Sequence, residues 1–205
     1  MLVCGMASTP DFIRDLPLRP VPGFESLVLH LAGPKSRLSA LAGPDAPPYW
    51  AYLWGGGLAL LEALKADPAL VAGRRVLDFG AGSGLLALAA LKLGAISAVA
   101  TDRDPRARAA ITANAAANGL SVSVLEPDAP FPPVDLVLAG DVFYDNALVV
   151  PNLARLEALR AGGATVLVGD PFRRPLPLSR LTELGRHQVR DFGGASVDAG
   201  VFRLT

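Results

Sequence analysis

The chain is short of the residues from which many functional sites are built. It has one cysteine, Cys4, and two histidines, His30 and His187, far apart in its 205 residues. A single cysteine excludes an intramolecular disulfide and any multi-cysteine metal site. Two distant histidines offer no histidine-based metal centre, and both read as strand residues rather than catalysts. Charge is balanced, with 19 basic and 19 acidic residues, which argues against nucleic acid or an anionic membrane as the main partner. No stretch of about 20 apolar residues escapes charges or chain breakers, so no membrane-spanning helix is expected. The N-terminus lacks the basic region and long apolar run of a signal peptide. A soluble chain in the cytoplasm is the expectation.

What is present is apolar bulk: 51% of residues are hydrophobic, enough for a sizeable core in one domain with a small appendage. The chain is organised around 75–102, RVLDFGAGSGLLALAALKLGAISAVATD. Arg75 to Phe79 is a short apolar run holding one acid, as suits a buried parallel strand. Gly80, Gly82 and Gly84 follow at alternate positions, then a Leu/Ala-rich helix from Ser83 to Leu93 stopped at Gly94. Ala98–Thr101 is a second strand ending at Asp102. This is a nucleotide-type βαβ unit, with glycines for close approach, a helix N-terminus, and an acid placed for a ribose hydroxyl. Position 85 is Leu, so the G-x-G-x-x-G dinucleotide fingerprint is not met, and no Lys follows the glycines as a phosphate loop requires.

Prolines punctuate 1–50 and forbid a long helix there. Ser26–Leu31 suits a strand, and 35–42 either its partner or a short helix. The segment 1–46 reads as an appendage or lid and 47–205 as the main domain. Both tryptophans and two of the three tyrosines fall within 49–54, followed by Gly55-Gly56-Gly57 and a helix over about Leu58–Lys65. Such a cluster suits either core or a wall that stabilises cations. Asp104-Pro105 starts a helix that ends near Gly119, with Asn114 and Asn118 expected to face solvent. Strands are expected at Val122–Leu125, Val134–Gly140 and Ala164–Val168, with a helix over Ala147–Arg160 before the last. Leu178–Leu184 suggests a short helix, and His187–Phe192 and Val201–Leu204 two closing antiparallel strands. The fold class expected is α/β: a Rossmann-like, seven-stranded, mostly parallel sheet with helices on both faces and a closing antiparallel hairpin. Arg173-Arg174 reads as a solvated basic pair.

The pattern D-x-G-x-G-x-G at Asp78, Gly80, Gly82 and Gly84 resembles motif I of the class I S-adenosylmethionine-dependent methyltransferases. Three further features are P-x-W-A-x-x-W-x-G-G from Pro48 to Gly56, G-D-x-F-Y-D from Gly140 to Asp145, and V-L-V-G-D-P from Val166 to Pro171. With motif I they resemble the electron transfer flavoprotein beta-subunit lysine methyltransferases, a group of seven-strand protein lysine methyltransferases. The double proline of many amide and base methyltransferases is lacking after Asp141. The resemblance implies S-adenosyl-L-methionine as cofactor. It would be held by Asp78, Gly80, Ala81, Gly82 and Asp102, with Trp54 near it and Glu126 or Asp128 beside adenine. It implies an acceptor site of Trp50, Asp141, Phe143 and Tyr144, with Asp141 and Tyr144 at the chemistry. Asp145 is the acid most readily assigned to helix capping. The implied partner is a protein substrate, the electron transfer flavoprotein beta subunit, met by a monomer. Other open readings are another protein such as a ribosomal protein, a small amine, or a non-catalytic binding module.

Overall fold

The computed structural model describes residues 10–33, 36, 38 and 47–205. Cys4 and most of 35–42 lie outside the described residues. After a single helical turn at Asp11–Arg14 come β1 (Leu18–Val21) and β2 (Phe24–His30), an antiparallel hairpin. The main sheet is built from β3 (Arg75–Phe79), β4 (Ser97–Thr101), β5 (Ser123–Leu125), β6 (Leu136–Gly140), β7 (Thr165–Asp170), β8 (Leu181–Arg190) and β9 (Ser196–Leu204). Its order is β5-β4-β3-β6-β7-β9-β8. Strands β3 to β7 run parallel, and β9 joins β7 antiparallel with β8 outside it. The helices are α1 (Gly55–Ala66), α2 (Leu85–Lys92), α3 (Pro105–Ala117) and α4 (Asn146–Ala161).

The near-continuous apolar strands follow from burial of both sheet faces. Alternation sorts their side chains. Val76, Leu136, Leu138 and Leu167 join one core with Leu60 and Leu61 of α1 and Leu88 of α2. Leu77, Phe79, Val137, Ala139 and Val168 join the other with Leu156 of α4. The hairpin adds Leu27 and Leu29, both fully buried, to the first core.

Local signals act as expected at two helix starts. Asp104 accepts the Arg106 amide and Asp145 the Ala147 amide, each capping its helix. Three expectations need correction. Leu178–Leu184 is no helix: one 3₁₀ turn at Leu178–Arg180 leads straight into β8, whose partner β9 satisfies its backbone. Helix α1 starts at Gly55, including glycines that propensity alone would exclude. Asn114 is completely buried and Asn118 partly so. The free edge of β2 needs partners, and these side chains supply them. Asn114 Oδ1 accepts the His30 amide at 2.8 Å, and Asn118 Oδ1 accepts that of Val28 at 3.0 Å. Asn114 Nδ2 also donates to the Ser83 carbonyl in the glycine turn at 2.8 Å.

Candidate active site

The sheet order changes direction between β3 and β6: the chain leaves β3 toward β4 and β5, then returns to β6 on its other side. A crevice beyond the strand ends is expected at such a point. A cleft of about 390 Å³, counting its solvent-open part, lies there, lined by Trp54, Gly57, Asp78, Gly80, Ala81, Gly82 and Asp141 among others.

One side of the cleft is the glycine turn. Gly80, Gly82 and Gly84 all have φ between +53° and +81°, a region costly for residues with a Cβ. Asp78 is buried, and its Oδ2 accepts the Ala87 amide in the first turn of α2 at 2.9 Å. Burial pushes its carboxyl up to about 7, against the pull of the Ala87 amide. Asp102 closes β4. Its Oδ2 accepts the Gly82 amide at 2.8 Å and its Oδ1 that of Asp104 at 2.9 Å. Each oxygen of both acids retains acceptor capacity. A ligand carrying an ammonium and a ribose diol fits this donor-poor, acid-rich turn. Glu126 pairs with Arg108 at 2.6 Å, and Arg108 also donates to the Asp102 carbonyl. Asp128 is exposed, and neither residue is among the cleft-lining ones.

The opposite side is where α1 meets the ends of β6 and β7. Gly140 and Gly169 lie side by side in register, each followed by an acid, Asp141 and Asp170. Asp141 takes φ +55°, left-handed, where Asp is tolerated better than most side chains. Its Oδ2 accepts the Gly57 amide at 3.0 Å. Its Oδ1 accepts both Nε and Nη2 of Arg173, at 3.1 and 2.8 Å. Burial raises the Asp141 carboxyl, and Arg173 lowers it. Asp191, in the turn between β8 and β9, accepts the Gly55 amide at 2.8 Å and lies 3.4 Å from Arg173 Nη2. Asp170 is fully buried; its Oδ1 accepts the Arg173 amide, and its Oδ2 has no partner among the described residues. Burial pushes Asp170 up to about 7.

Aromatic rings wall the mouth. Trp54 stacks with Phe192 at 5.1 Å and meets Tyr49 edge-on at 5.4 Å, while Tyr49 meets Tyr144 at 5.5 Å. Tyr49, Tyr144 and Phe192 are exposed, and the Arg173 guanidinium lies 5.6 Å from the Trp54 ring. The Tyr144 hydroxyl is pushed above its usual range by burial first.

Two expected acceptor residues are misplaced for that role. Trp50 is 2% exposed and packs in a separate core with Phe12, Ile13 and Ala110, edge-on to Phe12 at 5.6 Å. Phe143 is fully buried in the core under α4. Sequence reading missed Phe192, Asp191 and Asp170, and read Arg173 as solvated. The repeated Gly-Asp pair at 140–141 and 169–170 was the available signal for this cluster.

The family model for Ribosomal protein L11 methyltransferase (PrmA) matches residues 57–149. The electron transfer flavoprotein beta subunit lysine methyltransferase of Mus musculus is 40% identical over 143 residues, covering 63% of this chain and 53% of that protein. The ribosomal protein L11 methyltransferase of Stenotrophomonas maltophilia is 44% identical over 117 residues, 55% of this chain and 37% of that protein. The chain thus spans about half the length, or less, of these curated relatives. A putative RNA methyltransferase of Pyrococcus horikoshii superposes with a TM-score of 0.59 at 19% identity, over 82% of this chain and 92% of that one, which shows a shared fold. No helix among the described residues is long and apolar enough to cross a membrane.

Proposed function

We propose that this chain, a class I methyltransferase in sequence pattern and fold, is an S-adenosylmethionine-dependent protein-lysine N-methyltransferase acting on the electron transfer flavoprotein beta subunit. The observation that carries the reading is the position of Asp141. It is a buried carboxylate at the end of β6, facing the cleft that Asp78, Gly80 and Gly82 line, beneath an aromatic mouth. Asp78 and Asp102 would hold the cofactor's ammonium and ribose, with the positive-φ glycines permitting close approach. When bound, the cofactor supplies an electrophilic methyl on a sulfonium. Trp54 and Tyr144, joined through Tyr49, would make the entrance channel π-rich and so favour a cation over bulk water at its mouth. Asp141 orients the entering amine, and desolvation in the channel eases loss of its proton. Placement of nucleophile against methyl then supplies most of the acceleration. In this reading the enzyme works as a soluble monomer in the cytoplasm, with a methyltransferase domain of 47–205 onto which the β1–β2 hairpin packs.

The test is mass spectrometry of purified electron transfer flavoprotein incubated with this protein and labelled cofactor. Added methyl mass on a beta-subunit lysine supports the reading. An unmodified beta subunit, with turnover on another protein, favours the second reading, a ribosomal protein acceptor, which the matched family model supports.

A further inference from the structure

Arg173 is the hub of the acceptor side, and nothing in the cofactor motif requires it. Its guanidinium grips Asp141 Oδ1 through two N–H groups and lies 3.4 Å from Asp191. Both carboxylates cap the N-terminus of α1, Asp141 at Gly57 and Asp191 at Gly55. The backbone of Arg173 is in turn held by buried Asp170. Asp191 is followed by Phe192, whose amide donates to the Leu53 carbonyl at 3.0 Å and whose ring packs on Trp54 and Tyr52. One side chain thereby connects the β6 acid, the β8–β9 turn and the aromatic wall.

The bonding pattern is asymmetric. Arg173 loads Oδ1 of Asp141 with two donors, whereas Oδ2 accepts, among the described residues, only the Gly57 amide. A carboxylate oxygen accepts two bonds, so Oδ2 keeps one acceptor position. Lysine could not reproduce this hold, because an ammonium is a compact point charge without a planar fork. We propose that Arg173 is a positioning residue for the acceptor amine: it fixes Asp141 so that Oδ2 receives the lysine ammonium, and through Asp191 keeps Phe192 against Trp54. This rests on the lysine N-methyltransferase reading. The charged groups around Asp141 are Arg173, Asp170 and Asp191, with Asp78 across the cleft. Removal of Arg173 leaves acids alone there.

The experiment compares the full-length wild type, R173K and R173Q on electron transfer flavoprotein beta subunit. The expected result is a rise of about tenfold or more in acceptor KM, the scale of a lost charge-assisted hydrogen bond. S-adenosylhomocysteine affinity, measured by calorimetry, should stay within about twofold, since the side-chain bonds of Arg173 run to Asp141 and Asp191 rather than to the glycine turn. The acid limb of kcat/KM should move to higher pH in R173Q and less in R173K, because Asp141 ionises less readily without its counter-charge. A lowered melting temperature with unchanged acceptor KM and pH profile would assign Arg173 to scaffold alone and overturn the proposal. A fall in acceptor KM would also overturn it, marking Arg173 as a competing cation. Carboxyl ¹³C NMR titration of Asp141 in wild type and R173Q needs no acceptor. If wild type methylates no lysine, the parent reading fails, and an unmoved Asp141 titration separately rejects the Arg173–Asp141 link.

Discussion

Gly56 and Gly169 meet backbone to backbone: a Cβ at Gly56 would stand 2.1 Å from the Gly169 carbonyl oxygen, and one at Gly169 would stand 2.0 Å from that of Gly56. The contact sets how closely α1 approaches β7. It thereby lets Gly57 and Gly55 reach the carboxylates of Asp141 and Asp191.

Gly56→Ala is therefore expected to destabilise the protein, although alanine is the better helix former by about 1 kcal/mol. Relief of a backbone clash requires α1 to move, which opens its packing against β6, β7, β8 and β9. A loss of roughly 1–3 kcal/mol is expected, on the scale of overpacked cores, and toward its upper end because the clash is with backbone. Denaturant unfolding of Gly56→Ala and Gly169→Ala checks it, with Gly57→Ala as control. Among the described residues, a Cβ at Gly57 meets only the Leu85 side chain at 3.6 Å, an ordinary contact.

Asn114 joins the N-terminal hairpin to the glycine turn through the His30 amide and the Ser83 carbonyl, with no exposure to solvent. Asn114→Leu removes the partner of the part-buried His30 amide and of the buried Ser83 carbonyl, costing about 2–6 kcal/mol in sum. Hydrogen exchange should show loss of protection at His30 and in the turn around Ser83. Protection in β7, on the far side of β6, should fall only by the global change.

The cofactor half of the site is legible in the sequence because it is local. Asp78, Gly80, Gly82 and Asp102 lie in one βαβ unit, where spacing alone sets strand, turn and helix. The acceptor half is assembled from distant segments. Arg173 reaches Asp141 across 32 positions, and Asp191 reaches Gly55 across 136. Neither pairing leaves a periodic trace. Trp50 and Phe143 sit in short irregular stretches, where no period tells which face is inward, so core and site wall could not be told apart there. Asn114 misled for the same reason: the strand edge it satisfies lies 84 positions earlier.

Asp170 should give stability a pH dependence of known sign. Its folded carboxyl titrates near 7, above the ordinary value of 3.8, chiefly through burial. The folded state therefore holds this proton more tightly than the unfolded chain. The corresponding stability is complete below about pH 4, declines as pH rises, and is gone above about pH 7. A shift of this size corresponds to a few kcal/mol as an order of magnitude. Asp170→Asn cannot ionise, so its stability relative to wild type should rise steadily between about pH 4 and 7 and level off beyond. Urea unfolding at several pH values measures this slope. A difference between the two proteins that is flat with pH would reject the assignment.

Asp78 should couple cofactor binding to a proton. Its carboxyl also sits near 7 because of burial, so near neutrality the free protein holds a substantial protonated fraction. Pairing with the cofactor's ammonium requires the ionised form, and binding must then expel that proton. S-adenosylhomocysteine retains the ammonium and serves as the probe. Its affinity should weaken by close to tenfold from about pH 7.5 to about pH 6, as the ionised fraction falls. Asp78→Asn keeps an oxygen for the Ala87 amide but carries no charge. It should bind more weakly at pH 7.5 and show little pH dependence below it. Calorimetry near pH 6.5, in buffers of different ionisation enthalpy, reads the released proton directly. Equal apparent enthalpies in all buffers for the wild type would place the ammonium away from Asp78.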